Sequence, residues 1–481
     1  MESRTKIVAT LGPASEAPDV LEEMIRAGVD VVRLNLSHGT IDEHIDRVRA
    51  VRSAAQRTGS VVAVLADLPG PKVRAGQLPP GGVVLVPGAT LVLAPGDGPS
   101  DVDRFEVEYP SLVDDVVPGD RVMIGDGAIA LVVDDVGSEQ VSTTVLTGGT
   151  TQGRPGVHIP SERLRLRTPT PDDLVMAVTM AREGVDFLAV SFVRAASDLA
   201  EVREAVAAAG LECPHLVAKI ETMPAIAALE EIAEAADAVM VARGDLGIEC
   251  PLEDVPHLQK RIIRHCVEVG VPVITATQML ESMIDSPAPT RAEVSDIANA
   301  VFDGTDALML SGETAIGRDP VGVVAAMARI AGRAELEASY SAWANRLGRV
   351  QRRHGSGTPD RITMAITHAA GLAAADAGAT AILCCTRTGR TARAMARFRP
   401  TPELVGLSPD ARTVRTMALS WGVRPLQVGM YSSTDEMVWF AVEQAVGRGL
   451  VARGQVVLVL AGAPDRLGDA ATDVLRLVEV G

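Results

Sequence analysis

A chain of 481 residues with 47% hydrophobic residues is too long for one core and suits two or three soluble globular domains. A formal net charge of −17 argues against a basic face for nucleic acid or an anionic membrane, and 2% aromatics leave few platforms for stacking bases. Any phosphate site must therefore be a local cationic pocket. Five cysteines (Cys213, Cys250, Cys266, Cys384, Cys385) have no C-x-x-C spacing, which favours free thiols over a zinc site or disulfide framework. "MESRTKIVATLG" has no charged leader running into a long apolar stretch, and "VVLVLAGAP" is too short to span a bilayer, so a cytoplasmic protein is expected.

From the first residues, short apolar runs alternate with amphipathic helical stretches. Eight strand candidates follow in order: "KIVATL", "VDVVRLN", "VVAVLADL", "VDFLAVSF", "HLVAKIE", "AVMVARGD", "PVITATQM" and "ALMLSGE". Helical patterns such as "DVLEEMIRAG", "SDLAEVREAVAAAG", "AIAALEEIAEAA" and "LQKRIIRHCVEVG" lie between them, several ending at a glycine suited to a C-cap. Eight such units predict an α/β fold with a closed (β/α)₈ TIM barrel, spanning 1–72 and 168–344. The third unit is interrupted by a Gly-, Pro- and Val-rich stretch at 73–167 with short alternating runs, which predicts a small inserted all-β domain able to act as a lid. Within it, Asp126 of "IGDG" is either a site-facing residue or part of an ordinary hairpin turn. "NRLGRVQRRHGSGTPDR" at 345–361 is linker-like, and "ATAILCCT", "ELVGLS", "VRPLQV" and "QVVLVLAGAP" predict a separate C-terminal α/β domain over 345–481. No tandem repeat is expected beyond the βα rhythm.

Barrel enzymes draw their reacting groups from the carboxyl ends of the strands. Here those ends carry Arg33, Asn35, Ser37 and His38; Asp67; Ser191 and Arg194; Lys219 and Glu221; Arg243 and Asp245; Thr277 and Gln278; Ser311 and Glu313. Glu221 and Asp245 each follow a cation two residues upstream, Lys219 and Arg243. Two carboxylates at neighbouring strand mouths can hold Mg²⁺ while leaving it several waters, and cations beside them can hold an anion against the metal. Helix capping or a structural ion pair is the competing reading for any one of these residues, but is a poor account of all of them together.

The segments "TKIVATLGPAS", "RLNLSHGT", "AKIE", "VMVARGDLGIE", "TATQMLESMI", "PTRAEVSDIANAVFDGTDALMLSGETA" and "TRTGRTAR" closely resemble the pyruvate kinase family, in the family's order and over nearly the whole chain. The resemblance implies a phosphotransferase that moves the phosphoryl group of phosphoenolpyruvate to ADP, giving pyruvate and ATP. It implies Mg²⁺, or Mn²⁺ in its place, on Glu221 and Asp245. Lys219 and Arg33 would hold the phosphoryl group, and backbone N–H groups of Ala242, Arg243, Gly244 and Asp245, with Thr277, would take the substrate carboxylate. Thr277 also resembles the residue that helps protonate the enolate, with Ser311 and Glu313 as a polar relay behind it. Asn35, His38 and Arg74 resemble the nucleotide-phosphate contacts. A homotetramer is implied as well.

The chain departs from the common pattern in two places. Asn35, Ser37 and Asp67 match three ligands of the family's K⁺ ion, but Leu68 stands in place of the fourth and Lys72 replaces a glutamate. This resembles the K⁺-independent branch, with the Lys72 ammonium replacing the ion; a lysine that merely faces solvent is the bland reading. In "GRPGVHIP", Arg154 keeps one of the usual cations while Pro155 and His158 replace others. Finally, Thr386, Arg387, Thr388, Gly389, Arg390 and Thr391 form either a phosphate nest for a phosphorylated effector or a capping turn. The competing functions are a Mg²⁺-dependent enolate-forming lyase and a non-catalytic metabolite sensor.

Overall fold

The computed structural model describes residues 3–125, 127–338, 340, 343–344, 347, 358–430, 433–462 and 471–481. Asp126 and most of the 345–361 segment lie outside the described residues. Eight parallel strands close into a barrel: Lys6–Thr10, Val31–Asn35, Ala63–Asp67, Phe187–Val190, His215–Ile220, Ala238–Ala242, Val273–Ala276 and Ala307–Leu310. The eighth pairs with the first, so no edge is left open.

The period of two along each strand divides its side chains between two cores. Val8, Val31, Leu65, Phe187, Val217, Met240, Ile274 and Met309 fill the barrel interior. Ile7, Val32, Val64, Leu188, Leu216, Val239, Val273 and Leu308 face outward into the layer under the helices. Helix starts are set by local chemistry, as in the reciprocal caps Thr40–Glu43 and Thr170–Asp173. "AIAALEEIAEAA" is not one helix; it breaks at Ala228 into Met223–Ala227 and Leu229–Ala235.

Within the βα rhythm one feature recurs in space. Asp30, Asp186, Asp237 and Asp306 each immediately precede an even-numbered barrel strand, in "VDVV", "VDFL", "ADAV" and "TDAL". Each carboxylate accepts the N–H of the odd-numbered strand before it: Ile7 at 2.9 Å, Val64 at 2.8 Å, Leu216 at 2.9 Å and Val273 at 2.9 Å. Each also meets a cation, namely Lys6, Arg52, Arg203 and Arg399. The motif is one aspartate wide and recurs at the unequal intervals of 156, 51 and 69 residues, so only the closed barrel makes its four-fold character plain.

The inserted domain is built from a six-stranded sheet and a two-stranded ribbon, Val83–Leu85 with Gly149–Thr151. Its own core includes Leu91, Leu93, Phe105, Val122, Leu131 and Val145. The C-terminal sheet runs Val423–Gln427, Glu403–Ser408, Ala381–Cys385, Val456–Ala461, Val474–Glu479 in spatial order. Its last strand is antiparallel and was not among the sequence-predicted runs, although "VLRLVE" alternates.

Two arginines of the C-terminal domain reach the barrel floor: Arg399 to Asp306 at 2.8 Å and Arg415 to Asp186 at 2.7 Å. Asp186 is fully buried and serves Val64, Arg52 and Arg415 together. Asp186→Ala should therefore cost about 3 kcal/mol, because a buried N–H and two guanidinium groups lose their acceptor. Denaturant unfolding checks this, and a loss below about 1 kcal/mol would show the aspartate to be dispensable.

Candidate active site

The phase that fills the barrel interior also delivers its polar mouth. Thr10 follows Val8 by two residues, Arg33 follows Val31, Asp67 follows Leu65, Ser191 follows Ala189 and Lys219 follows Val217, so all five continue the inward rows toward the carboxyl ends. Arg33 donates to Asp67 Oδ2 through Nε at 2.7 Å and to Thr10 Oγ1 through Nη1 at 3.0 Å. Lys219 Nζ donates to Ser191 Oγ at 2.6 Å and lies 3.4 Å from both Asp67 Oδ1 and Glu221 Oε2. Ser191 in turn donates to the Leu68 carbonyl at 2.7 Å.

Electrostatics sort these groups. Burial works against the charged form of Lys219, but Asp67, Glu221 and Asp245 outweigh it and hold its pKa above the ordinary lysine value. Burial would raise Asp67, yet Lys219 and Arg33 bring it below the usual carboxylate range. Glu221 is different: burial pushes it up to about 8, against the pull of Lys219. Its Oε1 accepts the Phe192 N–H at 2.7 Å, while Oε2 is buried and has no hydrogen-bond partner. An orphaned carboxylate oxygen this deep is a natural cation ligand.

Asp245 lies in the first turn of the helix Arg243–Glu249 and lines the mouth cavity, whose volume is about 550 Å³. Among the described residues no cluster of three or more His, Cys, Asp or Glu converges as a metal site. Glu221 and Asp245 alone would leave a cation's remaining positions to water or substrate oxygens, which suits Mg²⁺.

The structure corrects the reading of Arg243 as a cation facing the site. Its guanidinium turns outward to Asp296 at 2.7 Å, Gln259 at 3.3 Å and the carbonyl of Thr277 at 2.6 Å, so it ties the helix to the following strand loop. Only its backbone remains available to a ligand. Nor does Thr277 stand free: its Oγ1 accepts the Gly244 N–H at 2.8 Å and donates to the Ala276 carbonyl at 2.6 Å. Thr277 has φ 71° and Gln278 φ 52°, a left-handed pair costing about 1–3 kcal/mol each. Glu313 helps hold this loop, accepting Leu280 N–H at 3.0 Å and Ser311 N–H at 2.6 Å. With both its oxygens on backbone donors, Glu313 positions the loop and is not joined to Thr277 as a relay; Ser311 contributes its backbone to the same bond.

Asn35, Ser37, His38, Lys72 and Arg74 line the same cavity. Asn35 Oδ1 accepts the Ser37 N–H at 3.2 Å. The desolvating cleft, and then Lys72, Arg74 and Arg33, lower the pKa of the exposed His38, so its ring is neutral at physiological pH. Lys72 is exposed and makes no ion pair among the described residues; desolvation, Arg74 and Lys219 lower its pKa against Asp67 and Asp245. Leu68 is 1% exposed and packs in the core. On the inserted domain, Arg154 pairs with Glu108 at 2.8 Å and the His158 ring bonds the Gly125 carbonyl at 2.9 Å.

In the C-terminal domain, Arg387 and Thr388 are exposed, whereas Thr386 and Thr391 are buried. Thr391 shares a hydrogen bond with Thr472 at 2.7 Å, and Gly389 takes φ 77° at the start of the seven-residue helix that begins with Arg390. Sequence reasoning missed Thr10, which supports Arg33. The signal existed, since Thr10 ends the first apolar run in the inward phase.

A family model described as pyruvate kinase, barrel domain, matches residues 2–324, and one described as pyruvate kinase, alpha/beta domain, matches residues 364–478. A curated pyruvate kinase of Geobacillus stearothermophilus is 42% identical over 482 aligned residues, covering 100% of this chain and 81% of its own length. One from Sporosarcina psychrophila is 40% identical, covering 99% and 80%, and one from Clostridium acetobutylicum is 37% identical, covering 98% and 99%.

Proposed function

The chain belongs to the pyruvate kinase family, a family of phosphotransferases, and from that premise we propose how its mouth residues divide the work of moving a phosphoryl group from phosphoenolpyruvate to ADP. The observation that carries the assignment is the orphaned, buried Glu221 Oε2 beneath Lys219, in a mouth that also holds Arg33 and Asp245. Mg²⁺, or Mn²⁺ in its place, held by Glu221 and Asp245 would supply Lewis acidity and positive charge to the phosphate oxygens.

The chain's own residues do the rest. Lys219 stays protonated because its carboxylate neighbours hold its pKa up, and it places a fixed positive charge beside the moving phosphoryl group. Arg33, locked by Asp67 and Thr10, presents a pre-oriented fork to the same group. The substrate carboxylate is met by the backbone N–H groups of Ala242 to Asp245, with the Thr277 hydroxyl releasing Gly244 to join them. A water held by the Thr277 hydroxyl gives its proton to the enolate carbon, completing pyruvate, and the hydroxide left behind takes a proton from solvent. Asn35, His38 and Arg74 receive the nucleotide phosphates, and Lys72 supplies the charge that makes K⁺ unnecessary.

The same reading places the barrel at 1–72 and 168–344, the lid at 73–167 and the C-terminal domain at 345–481, in a cytoplasmic homotetramer; family membership supports it. No helix among the described residues is long and apolar enough to cross a membrane. The exposed Arg387 and Thr388 support a phosphorylated effector at 386–391.

ADP-dependent pyruvate formation from phosphoenolpyruvate is the test. Its absence at saturating Mg²⁺ would leave the sensor or lyase reading. Protons and metal compete for Glu221: with its pKa near 8, the metal must displace a proton below that pH. The Mg²⁺ concentration giving half-maximal rate should therefore fall as pH rises from about 6.5 to about 8.5. A value flat across that range contradicts the assignment.

A further inference from the structure

The helix Arg243–Glu249 is seven residues long, carries Asp245 in its first turn, and is held at both ends. At its start, the Arg243 guanidinium and the Gly244 N–H bind it to the Thr277 loop. At its far end Glu249 takes the backbone N–H of Met223 in the barrel, and the other contacts are with the inserted domain and the chain returning from it. Ser161, 4% exposed, donates from Oγ to Glu249 Oε2. Gly127 of the inserted domain's hairpin sits against Ile248 so closely that a Cβ there would lie 3.1 Å from Ile248 Cγ1. Further along the returning chain, Arg194 donates to the carbonyls of Leu164 at 2.9 Å and Leu166 at 2.7 Å, fixing its path back to the barrel.

We propose that Glu249 and Ile248 are positioning residues through which the inserted domain sets Asp245: seating the domain on the end of this helix fixes the carboxylate at its beginning. A single seven-residue helix moves as one body, so a displacement at Glu249 is passed to Asp245 about one turn away. Glu249 and Ser161 line the edge of the same mouth cavity as Asp245, with the Glu249 carboxylate taken up by Ser161. The inference rests on the proposed role of Asp245 as a cation ligand.

The test uses the full-length protein and reads cation binding directly, by the electron spin resonance of Mn²⁺, alongside turnover and melting temperature. Ser161→Ala should weaken Mn²⁺ binding and raise the half-saturating Mg²⁺ concentration about three- to tenfold, the worth of one hydrogen bond, with the melting temperature unchanged. Glu249→Ala should weaken it at least as much, because its carboxylate also takes backbone N–H groups of Ser161 and Met223, and the double variant should be no worse than Glu249→Ala alone, because the Ser161 hydroxyl contact is then already gone. Glu249→Gln, whose amide oxygen still accepts from Ser161, should restore most of the affinity. A fall in melting temperature with Mn²⁺ affinity unchanged, or additive losses in the double variant, would overturn the proposal. An Asp245→Asn protein that binds Mn²⁺ as tightly as the unaltered chain would instead remove the cation-ligand reading beneath it, which separates the two failures.

Discussion

Lys219→Met should lower kcat by about a thousandfold or more while leaving the fold intact. The half-buried ammonium meets Asp67, Glu221 and Ser191 at once. Arg33 stays bound to Asp67 and Thr10, so the loss reports one charge and not a collapsed mouth. Glu221 already titrates near 8 and loses its main favourable partner, so its pKa rises further and it stays protonated at neutral pH in the absence of metal. Half-saturating Mg²⁺ should rise with it. The measurements are steady-state turnover of phosphoenolpyruvate and ADP, with circular dichroism and melting to confirm folding. A well-folded variant retaining kcat within about tenfold would remove Lys219 from the phosphoryl-transfer machinery.

The second large effect is a gain of ion dependence. The unaltered chain should turn over at full rate with Na⁺ as the sole monovalent cation, whereas Leu68→Thr combined with Lys72→Glu should make it depend on K⁺. Lys72 and the three matching residues Asn35, Ser37 and Asp67 line one cavity, so removing the ammonium takes positive charge from the place where phosphate charge shifts. At about 6 Å and an effective dielectric of about 20, one unit charge is about 3 kcal/mol, or about a hundredfold in rate. The double variant should lose about that factor in Na⁺ and recover most of it in K⁺. Lys72→Glu alone should lose activity and recover less, because the Leu68 side chain packs in the core outside this cavity and leaves the fourth position of the family's pattern unchanged. A strong K⁺ requirement in the unaltered chain, or a double variant indifferent to K⁺, would sink the reading of Lys72.

Much of this protein is legible in its sequence because two of its signals are local. Strand periodicity depends only on neighbouring residues, so the eight apolar runs identify the barrel strands, and their phase alone sends Arg33, Lys219 and Glu221 inward at the mouth. The order of "AKIE", "ARGDLGIE" and "TATQMLESM" likewise points to one family before any coordinates are considered. The last strand of the C-terminal sheet was missed because half-exposed alternation at a sheet edge leaves a weak apolar signal.

What the tertiary structure decided are the pairings. Arg243 and Lys219 look equivalent in sequence, each two residues before an acid, yet one faces Asp296 on the outside and the other faces Asp67 within the barrel. The difference is one of phase: Lys219 lies two residues after the inward-facing Val217, whereas Arg243 lies two residues after the outward-facing Val241 and opens the helix that follows. Charge burial is equally non-local: Glu221 near 8 and Asp67 below the ordinary range are both carboxylates at strand ends, separated by which cations the closed barrel brings to each. The four floor aspartates and the contact of Ser161 with Glu249 also join residues far apart in the chain. Sequence by itself determined which residues line the inner rows and which family they match; only closure of the barrel, which brings distant strands within hydrogen-bond range, decided which of them meet.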